Sequence, residues 1–272
     1  GGVSFFLLST ILSLVITTFR PDIPIMDAVY FRNAHPVLFM LLTILPLQFG
    51  FLFVPGFIYL KITNNDNWPI LKSKNYRLKI IISITLFISI FLLLPLFTKI
   101  NEIPLNYFGW FDHLNEIQNE QIAMITNFVQ SDLNTFIVAV LLISILTGFA
   151  EEFFFRGFIF RQMIDNQVNL FVSWGVSGLV FALLHFNYVQ FLPLFVFGVV
   201  LAMIYTLIGK LWLSIFLHSA NNFLQLIWLR IDYSPGWMED ISYEITIPSI
   251  LLLTGLTIFI FRLLKSNRKS TF

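Results

Sequence analysis

Apolar stretches long enough to cross a lipid bilayer recur along this 272-residue sequence. A helix needs about 20 predominantly apolar residues to span the hydrocarbon core, where every backbone polar group must be satisfied internally. Such stretches lie at residues 3–19, 37–60, 80–98, 135–162, 170–186, 190–209, 211–229 and 246–264. The sequence therefore predicts an all-α, polytopic membrane protein with about eight transmembrane helices in a single integral membrane domain, residues 1–272.

The lysines and arginines are distributed unevenly between the two sides that eight spans define. Twelve of the 16 fall on one side and four on the other. Because cytoplasmic loops carry an excess of these residues, both termini are predicted to be cytoplasmic, in what we take to be a prokaryotic cell membrane. The first stretch lacks a basic n-region and a small-residue cleavage site, so we expect a span rather than a signal peptide. No basic patch with interleaved aromatic residues indicates a nucleic-acid partner.

The segment GFAEEFFFRGF, residues 148–158, places three ionisable side chains within an apolar stretch. An ionised side chain at a helix centre costs about 2.5–3.5 kcal/mol on insertion scales, so such residues indicate function by default. Glu152 and Arg156 are separated by four residues and are predicted to pair on one helix face. Glu151 points about 100° away from Glu152 and must face a cavity, water or another helix. Glu151 is therefore the candidate for chemistry, and Glu152 is the acid that Arg156 holds.

Two later spans carry further polar side chains. His185 follows Phe181 by four residues in LVFALLHFNY, and His218 and Asn222 share one helix face in LSIFLHSANNFLQL. Each feature alone is explained by ordinary helix packing and hydrogen bonding. At about 1.5 Å per residue, however, Glu151, His185 and Asn222 lie about 16–22 Å from the inner ends of their helices, with His218 one turn lower. We therefore expect one shared site.

The chemistry of this set is that of water activation. An acid and an imidazole activate a water between them, and a second imidazole with an amide donates hydrogen bonds to a developing oxyanion. This combination predicts peptide-bond hydrolysis without a covalent intermediate. Glu151, His185 and His218 could instead hold a divalent metal such as zinc. The absence of an H-E-x-x-H spacing favours a site without a cofactor.

Three ordered motifs resemble those of the CAAX-protease and bacteriocin-processing family, also called the CPBP or ABI family. They are E-E-x-x-x-R at 151–156, F-x-x-x-H at 181–185 and H-x-x-x-N at 218–222. They lie on three separate predicted spans, so the catalytic core helices are expected within residues 134–230. The resemblance implies an intramembrane endopeptidase of eight helices whose site is reached from the cytosolic side.

The resemblance also implies roles for individual residues. Glu151 and His185 correspond to the pair that activates water, and His218 and Asn222 to the oxyanion site. The supporting motif positions correspond to Glu152, Arg156 and Phe181. The expected partners are the lipid bilayer and either a prenylated CAAX protein or a bacterial peptide such as a bacteriocin-like substrate.

Three alternatives remain at this stage. GVSG at 175–178 resembles the serine motif of rhomboid proteases, but His218 and Asn222 follow Ser177 rather than precede it. Gly175, Gly178 and Ala182 are better explained as a small-residue packing face. Buried ionisable residues also occur in proton-coupled transporters and in non-catalytic immunity or scaffold proteins. A transporter often has an internal repeat, which we do not detect, and a scaffold should tolerate Glu151→Gln.

Overall fold

The computed structural model describes residue 31 and residues 34–63, 76–236 and 243–269. Every regular element within these ranges is a helix. The α-helices are α1 Pro36–Leu45, α2 Val54–Thr63, α3 Tyr76–Tyr107, α4 Phe111–Gln130, α5 Leu133–Ala139, α6 Thr147–Glu152, α7 Arg161–Asp165, α8 Leu170–Leu184, α9 Phe191–Ile208, α10 Trp212–Arg230 and α11 Tyr243–Lys269.

Three π-helical segments interrupt this α-helical pattern. Pro46–Phe53 joins α1 to α2, and the segments Val140–Leu146 and Phe153–Phe160 lie on either side of α6. A π-helix bonds residue i to residue i+5 and occurs frequently at functional sites. The short helix α6, which carries Glu151 and Glu152, is thus flanked on both sides by π-helical segments.

Four helical stretches are long and apolar enough to cross a membrane: Pro36–Tyr59, Tyr76–Tyr107, Leu133–Asp165 and Phe191–Ile208. Two shorter helices, Leu170–Leu184 and Glu244–Ile260, are also apolar. These helices confirm the predicted all-α class for the described ranges and indicate an integral, multi-pass membrane protein. The predicted stretch 3–19 lies outside those ranges. The number of eight spans and the cytoplasmic placement of both ends stay predictions.

The helices group into two compact units. The first comprises Gly1–Asn65, Ile122–Ile159 and Ile215–Tyr233, in so far as these segments are described. Its core consists of Met40, Phe128, Val129, Ala139, Leu142 and Leu226. On another face, the Phe53 ring packs at 5.6 Å from the Phe149 ring and at 4.9 Å from the Phe153 ring. Phe149 and Phe153 therefore face the first helical stretch.

The start of α5 is fixed by an N-terminal cap. The Asp132 carboxylate accepts hydrogen bonds from the backbone nitrogens of Asn134 and Thr135, at 2.8 and 3.1 Å, and from the Thr135 hydroxyl at 2.6 Å. These bonds, that from the hydroxyl foremost, hold the pKa of the Asp132 carboxyl below its usual value. The cap separates α5 from α4.

The second unit comprises the described residues of Asp66–Gln121, Phe160–Ser214 and Ser234–Phe272. Within it α8 and α9 cross at glycines, since a methyl group at Gly198 would lie 2.9 Å from the Gly178 Cα. The buried Trp174 indole nitrogen also donates to the Thr206 hydroxyl at 3.0 Å. The predicted small-residue face is confirmed at Gly178, but including Gly175 was wrong, because nothing lies within 4 Å of a methyl group there. Gly175 lies nearly one turn before the crossing at Gly178, on a part of α8 where a methyl group would contact nothing.

This crossing predicts different outcomes for two glycines on one helix. A methyl group at Gly178 would lie 2.7 Å from the Phe195 carbonyl oxygen, which is backbone and does not give way easily. Gly178→Ala should therefore destabilise the protein by about 1–3 kcal/mol, the usual cost of overpacking. Gly175→Ala is the matched control and should melt at or slightly above the parent temperature. Thermal unfolding in detergent measures both, and equal melting of the two variants would contradict the crossing.

Candidate active site

The Glu152–Arg156 pair is a fully buried polar contact within the first unit. Arg156 Nη1 donates to Glu152 Oε1 at 2.6 Å, and both side chains are 0 % exposed. This confirms the pairing that the four-residue spacing predicts. Both residues belong to the continuous helical stretch Leu133–Asp165, so the contact forms within one helix. The pair reduces the cost of placing either charge inside a membrane.

His218 of α10 lies between the two glutamates. Its Nδ1 is 2.9 Å from Glu152 Oε1, and its Nε2 is 3.7 Å from Glu151 Oε2. An ionised carboxylate only accepts hydrogen bonds, so we assign the shared proton to Nδ1 of His218. Nε2 is consequently the nitrogen on the side of Glu151. Of the three surroundings predicted for Glu151, which are a cavity, water or another helix, the structure shows another helix.

A close antiparallel contact holds α10 against the helix that carries the glutamates. The Ser144 hydroxyl donates to the Ser219 carbonyl oxygen at 2.8 Å. A methyl group at Gly148 would lie 3.0 Å from the Ser219 backbone nitrogen and closer still to its hydroxyl. Only a glycine allows the two backbones to come this near. The sequence analysis missed Gly148, although a glycine one turn before Glu151 in a bulky apolar run was an available signal.

Asn222 lies one turn beyond His218 on the same side of α10. Its Nδ2 donates to the Ile143 carbonyl oxygen at 3.3 Å, in the π-helical segment Val140–Leu146. Its Oδ1 accepts from Asn221 Nδ2, also at 3.3 Å. These contacts orient the amide with its donor toward the glutamate-bearing helix. The prediction that His218 and Asn222 share one face is confirmed, because both contact the same neighbouring helix.

His185 belongs to the second unit and lies at a helix end. The predicted span runs to residue 186, but α8 ends at Leu184 with His185 as its C-cap. The helix stops there because the next residue, Phe186, has a left-handed backbone with φ 50°. His185 Nδ1 is 2.7 Å from the Phe181 carbonyl oxygen. Since a carbonyl oxygen only accepts, we assign the proton to Nδ1, which makes Nε2 the acceptor nitrogen of the neutral ring.

Phe181 gives the F-x-x-x-H spacing a physical explanation. Its ring is 1 % exposed and lies with its centroid 4.3 Å from that of the His185 ring. A methyl group at Gly198 of α9 would lie 3.2 Å from the Phe181 Cβ. The glycine thus provides space for the phenylalanine that supports the imidazole. Gly198 was also missed, although it is the one glycine within the apolar sequence of α9.

Each predicted site residue is therefore located, within one unit or the other. The first unit brings together Glu151, Glu152, Arg156, His218 and Asn222, and the second holds Phe181 and His185. A site shared by Glu151 and His185 stays a prediction. Across the described ranges, no three His, Asp or Glu side chains are arranged to hold a metal ion.

One comparison with known proteins gives a match. Residues 133–224 match the family model described as type II CAAX prenyl endopeptidase Rce1-like. This segment, about a third of the chain, contains all three motifs from Glu151 to Asn222. The resemblance to the CAAX-protease family is confirmed over the matched residues, and that family implies a membrane-embedded protease. Neither a curated protein nor a solved structure matches the chain.

The buried pair predicts a specific pattern of stability. Arg156→Ala leaves Glu152 without its cation and should cost about 3–5 kcal/mol of stability, as the breaking of buried ion pairs does. Adding Glu152→Gln removes the stranded charge, so the double variant should regain a large part of that loss. Thermal unfolding and yield in detergent measure both effects.

Arg161→Ala is the matched control for this experiment. Arg161 pairs with Asp165 at 3.7 Å, with side chains 15 % and 16 % exposed. This pair is longer than the Glu152 pair and retains some contact with solvent, so its loss should cost much less stability than the loss of the Glu152 pair. An Arg156→Ala variant that is as stable as Arg161→Ala would refute a structural role for the Glu152 pair.

Proposed function

We propose that this protein is an intramembrane endopeptidase of the CAAX-protease type, which hydrolyses a peptide bond close to the membrane. The observation that carries the proposal is the position of His218 between two buried glutamates, inside a segment that matches this family. Such a cluster is costly to place in a bilayer and is far more elaborate than helix packing requires.

In the proposed reaction Glu151 and His185 activate a water molecule. The water loses a proton to this pair as its oxygen attacks the carbonyl carbon of the scissile peptide bond. The same proton then passes to the amine that leaves when the bond breaks. Because Nδ1 of His185 is hydrogen-bonded to Phe181, the acceptor nitrogen of the neutral ring is Nε2. General-base assistance of this kind contributes about 10²–10⁴ in rate.

His218 and Asn222 stabilise the oxyanion that forms during this attack. Asn222 supplies a neutral N–H donor, and His218 supplies a second donor when its ring carries both protons. Glu152 fixes the His218 ring by accepting from Nδ1, and Arg156 fixes Glu152. Donors that are oriented before the reaction stabilise a developing charge without reorganisation, and each contributes about 10²–10³ in rate.

The substrate is a peptide segment at the membrane surface, either the prenylated C-terminus of a CAAX-type protein or a bacterial peptide. The excess of lysine and arginine on one side supports a site open to the cytoplasm and two cytoplasmic termini. A prenyl chain would partition into the bilayer and bring the scissile bond to the depth of the site.

Replacement of the proposed catalytic groups should abolish turnover. Glu151→Gln keeps the size of the side chain but removes its basicity, so kcat should fall by about 10²–10⁴. His185→Ala and His218→Ala should cause losses in the same range. The losses are measured with the protein in detergent, using a prenylated CAAX peptide and the matched unprenylated peptide as substrates. Mass spectrometry detects the cleavage products.

Two exposed residues of α4 provide controls of the same chemical type. Glu116→Gln and His113→Ala change an exposed acid and an exposed imidazole, and both should retain parental activity. Parental turnover by Glu151→Gln would refute the role assigned to Glu151. Absence of cleavage of either peptide by the parent protein would instead favour a scaffold or immunity protein. A preference for the unprenylated peptide would favour a bacterial peptide over a prenylated CAAX protein as the substrate.

We also propose that hydrolysis proceeds without a metal, since the donor set of the described residues does not form a three-ligand cluster. Dialysis against a strong chelator should leave kcat and KM unchanged, and the purified active protein should contain substoichiometric zinc. Loss of activity on chelation, with recovery on adding zinc, would overturn this part of the mechanism.

A further inference from the structure

Asn101 of α3 makes an unusually complete set of contacts with a distant turn of the second unit. Its Nδ2 donates to the carbonyl oxygens of Tyr188 and Val189, at 2.9 and 3.0 Å. Its Oδ1 accepts from the Leu192 backbone nitrogen at 3.2 Å. The residue is only 9 % exposed. One side chain thus binds both the middle of the turn and the first turn of α9.

The turn needs such external support because it joins two helices without regular structure of its own. The turn begins at Phe186, directly after His185. The Phe186 backbone has a φ of 50°, which is unfavourable for a residue with a bulky side chain. Strained backbone of this kind persists where surrounding contacts determine the conformation, and it is concentrated at functional sites. Local bonds hold the two ends of the turn: the Phe186 nitrogen donates to the Leu183 carbonyl oxygen at 3.2 Å, and the Gln190 nitrogen donates to Asn187 Oδ1 at 3.1 Å. The carbonyl oxygens in the middle of the turn are held by Asn101.

The position of the His185 imidazole depends on this turn. The His185 backbone nitrogen donates to the Ala182 carbonyl oxygen at 3.3 Å, which ties the residue to the end of α8. On its other side the chain continues directly into the strained Phe186. A change in the turn would rotate the His185 backbone, while the ring would remain bound to the Phe181 carbonyl oxygen. The direction of Nε2 would change as a result.

We propose that Asn101 is a positioning residue for His185, which it holds in place by clamping the turn of residues 186–190. The proposal rests on the function inferred above, in which His185 activates water. Asn101 acts through the backbone and does not touch the reacting atoms. The position of a catalytic group strongly affects the rate, since a misplacement of 1 Å can lower the rate by about 100-fold.

Two substitutions of Asn101 test the clamp. Asn101→Asp keeps the shape and the acceptor for Leu192 but loses both donors to the turn, and Asn101→Ala removes the clamp without adding charge. Both should lower kcat by about 10–100-fold with KM nearly unchanged, measured well below their melting temperatures. Thr98→Val is the matched control, because it removes the 3.2 Å contact with the Gln190 side chain and leaves the backbone carbonyls of the turn in place.

A readout independent of activity separates positioning from general stability. In protein labelled with ¹⁵N-histidine, the ring signals that disappear in His185→Ala identify His185. These signals should shift in Asn101→Ala and stay unchanged in Thr98→Val. Unchanged ring signals, or parental kcat in both Asn101 variants, would overturn the clamp while leaving the proposed function intact. Parental activity of His185→Ala would overturn the proposed function, and the ring signals would still show whether Asn101 positions the imidazole.

Discussion

The fully buried carboxylate of Glu152 is the group on which the first unit depends. One of its oxygens accepts from Arg156 of its own helix and from His218 of α10. A membrane interior offers no water as a substitute partner, so both donors must be present for the charge to be tolerated. The requirement brings α10 against the glutamate-bearing helix, and Gly148 makes the close approach sterically possible. The same contact therefore stabilises the fold and places His218 beside Glu151.

The sequence predicts contacts that form within one helix, but it does not predict contacts between helices that are distant in sequence. The Glu152–Arg156 pair and the shared face of His218 and Asn222 depend only on the helical repeat, and both were predicted. The contact between His218 and Glu152 depends on the register of two helices distant in sequence. That register is fixed by Gly148 against Ser219, a close approach that no periodicity reveals. Helix ends are similarly obscure: α8 stops before His185 because Phe186 adopts a left-handed backbone, a conformation usually left to glycine or asparagine.

The π-helical segments show a further limit of sequence analysis. Val140–Leu146 is composed of residues that an ordinary α-helix accepts equally well, so its sequence VLLISIL predicts no change of winding. The change nevertheless matters, because Ser144 and Ile143 of this segment bind Ser219 and Asn222 of α10. Wider winding alters which carbonyl oxygens point toward a neighbouring helix. The amide of Asn222 has its acceptor, the Ile143 carbonyl oxygen, on this segment.

The His185 and His218 imidazoles are both held through Nδ1, but the groups that accept these hydrogen bonds differ in charge. Each has Nδ1 bound to an oxygen, so the proposed mechanism assigns the chemistry to Nε2. For His185 the acceptor is a neutral peptide carbonyl, whereas for His218 it is the Glu152 carboxylate. A hydrogen bond to an anion is stronger than one to a neutral group, so the His218 ring is held more firmly than the His185 ring. In the proposed mechanism the more firmly held ring belongs to the oxyanion site, where a fixed donor stabilises a developing charge without reorganisation. Two residues of one type are thus assigned different roles according to the group that holds Nδ1.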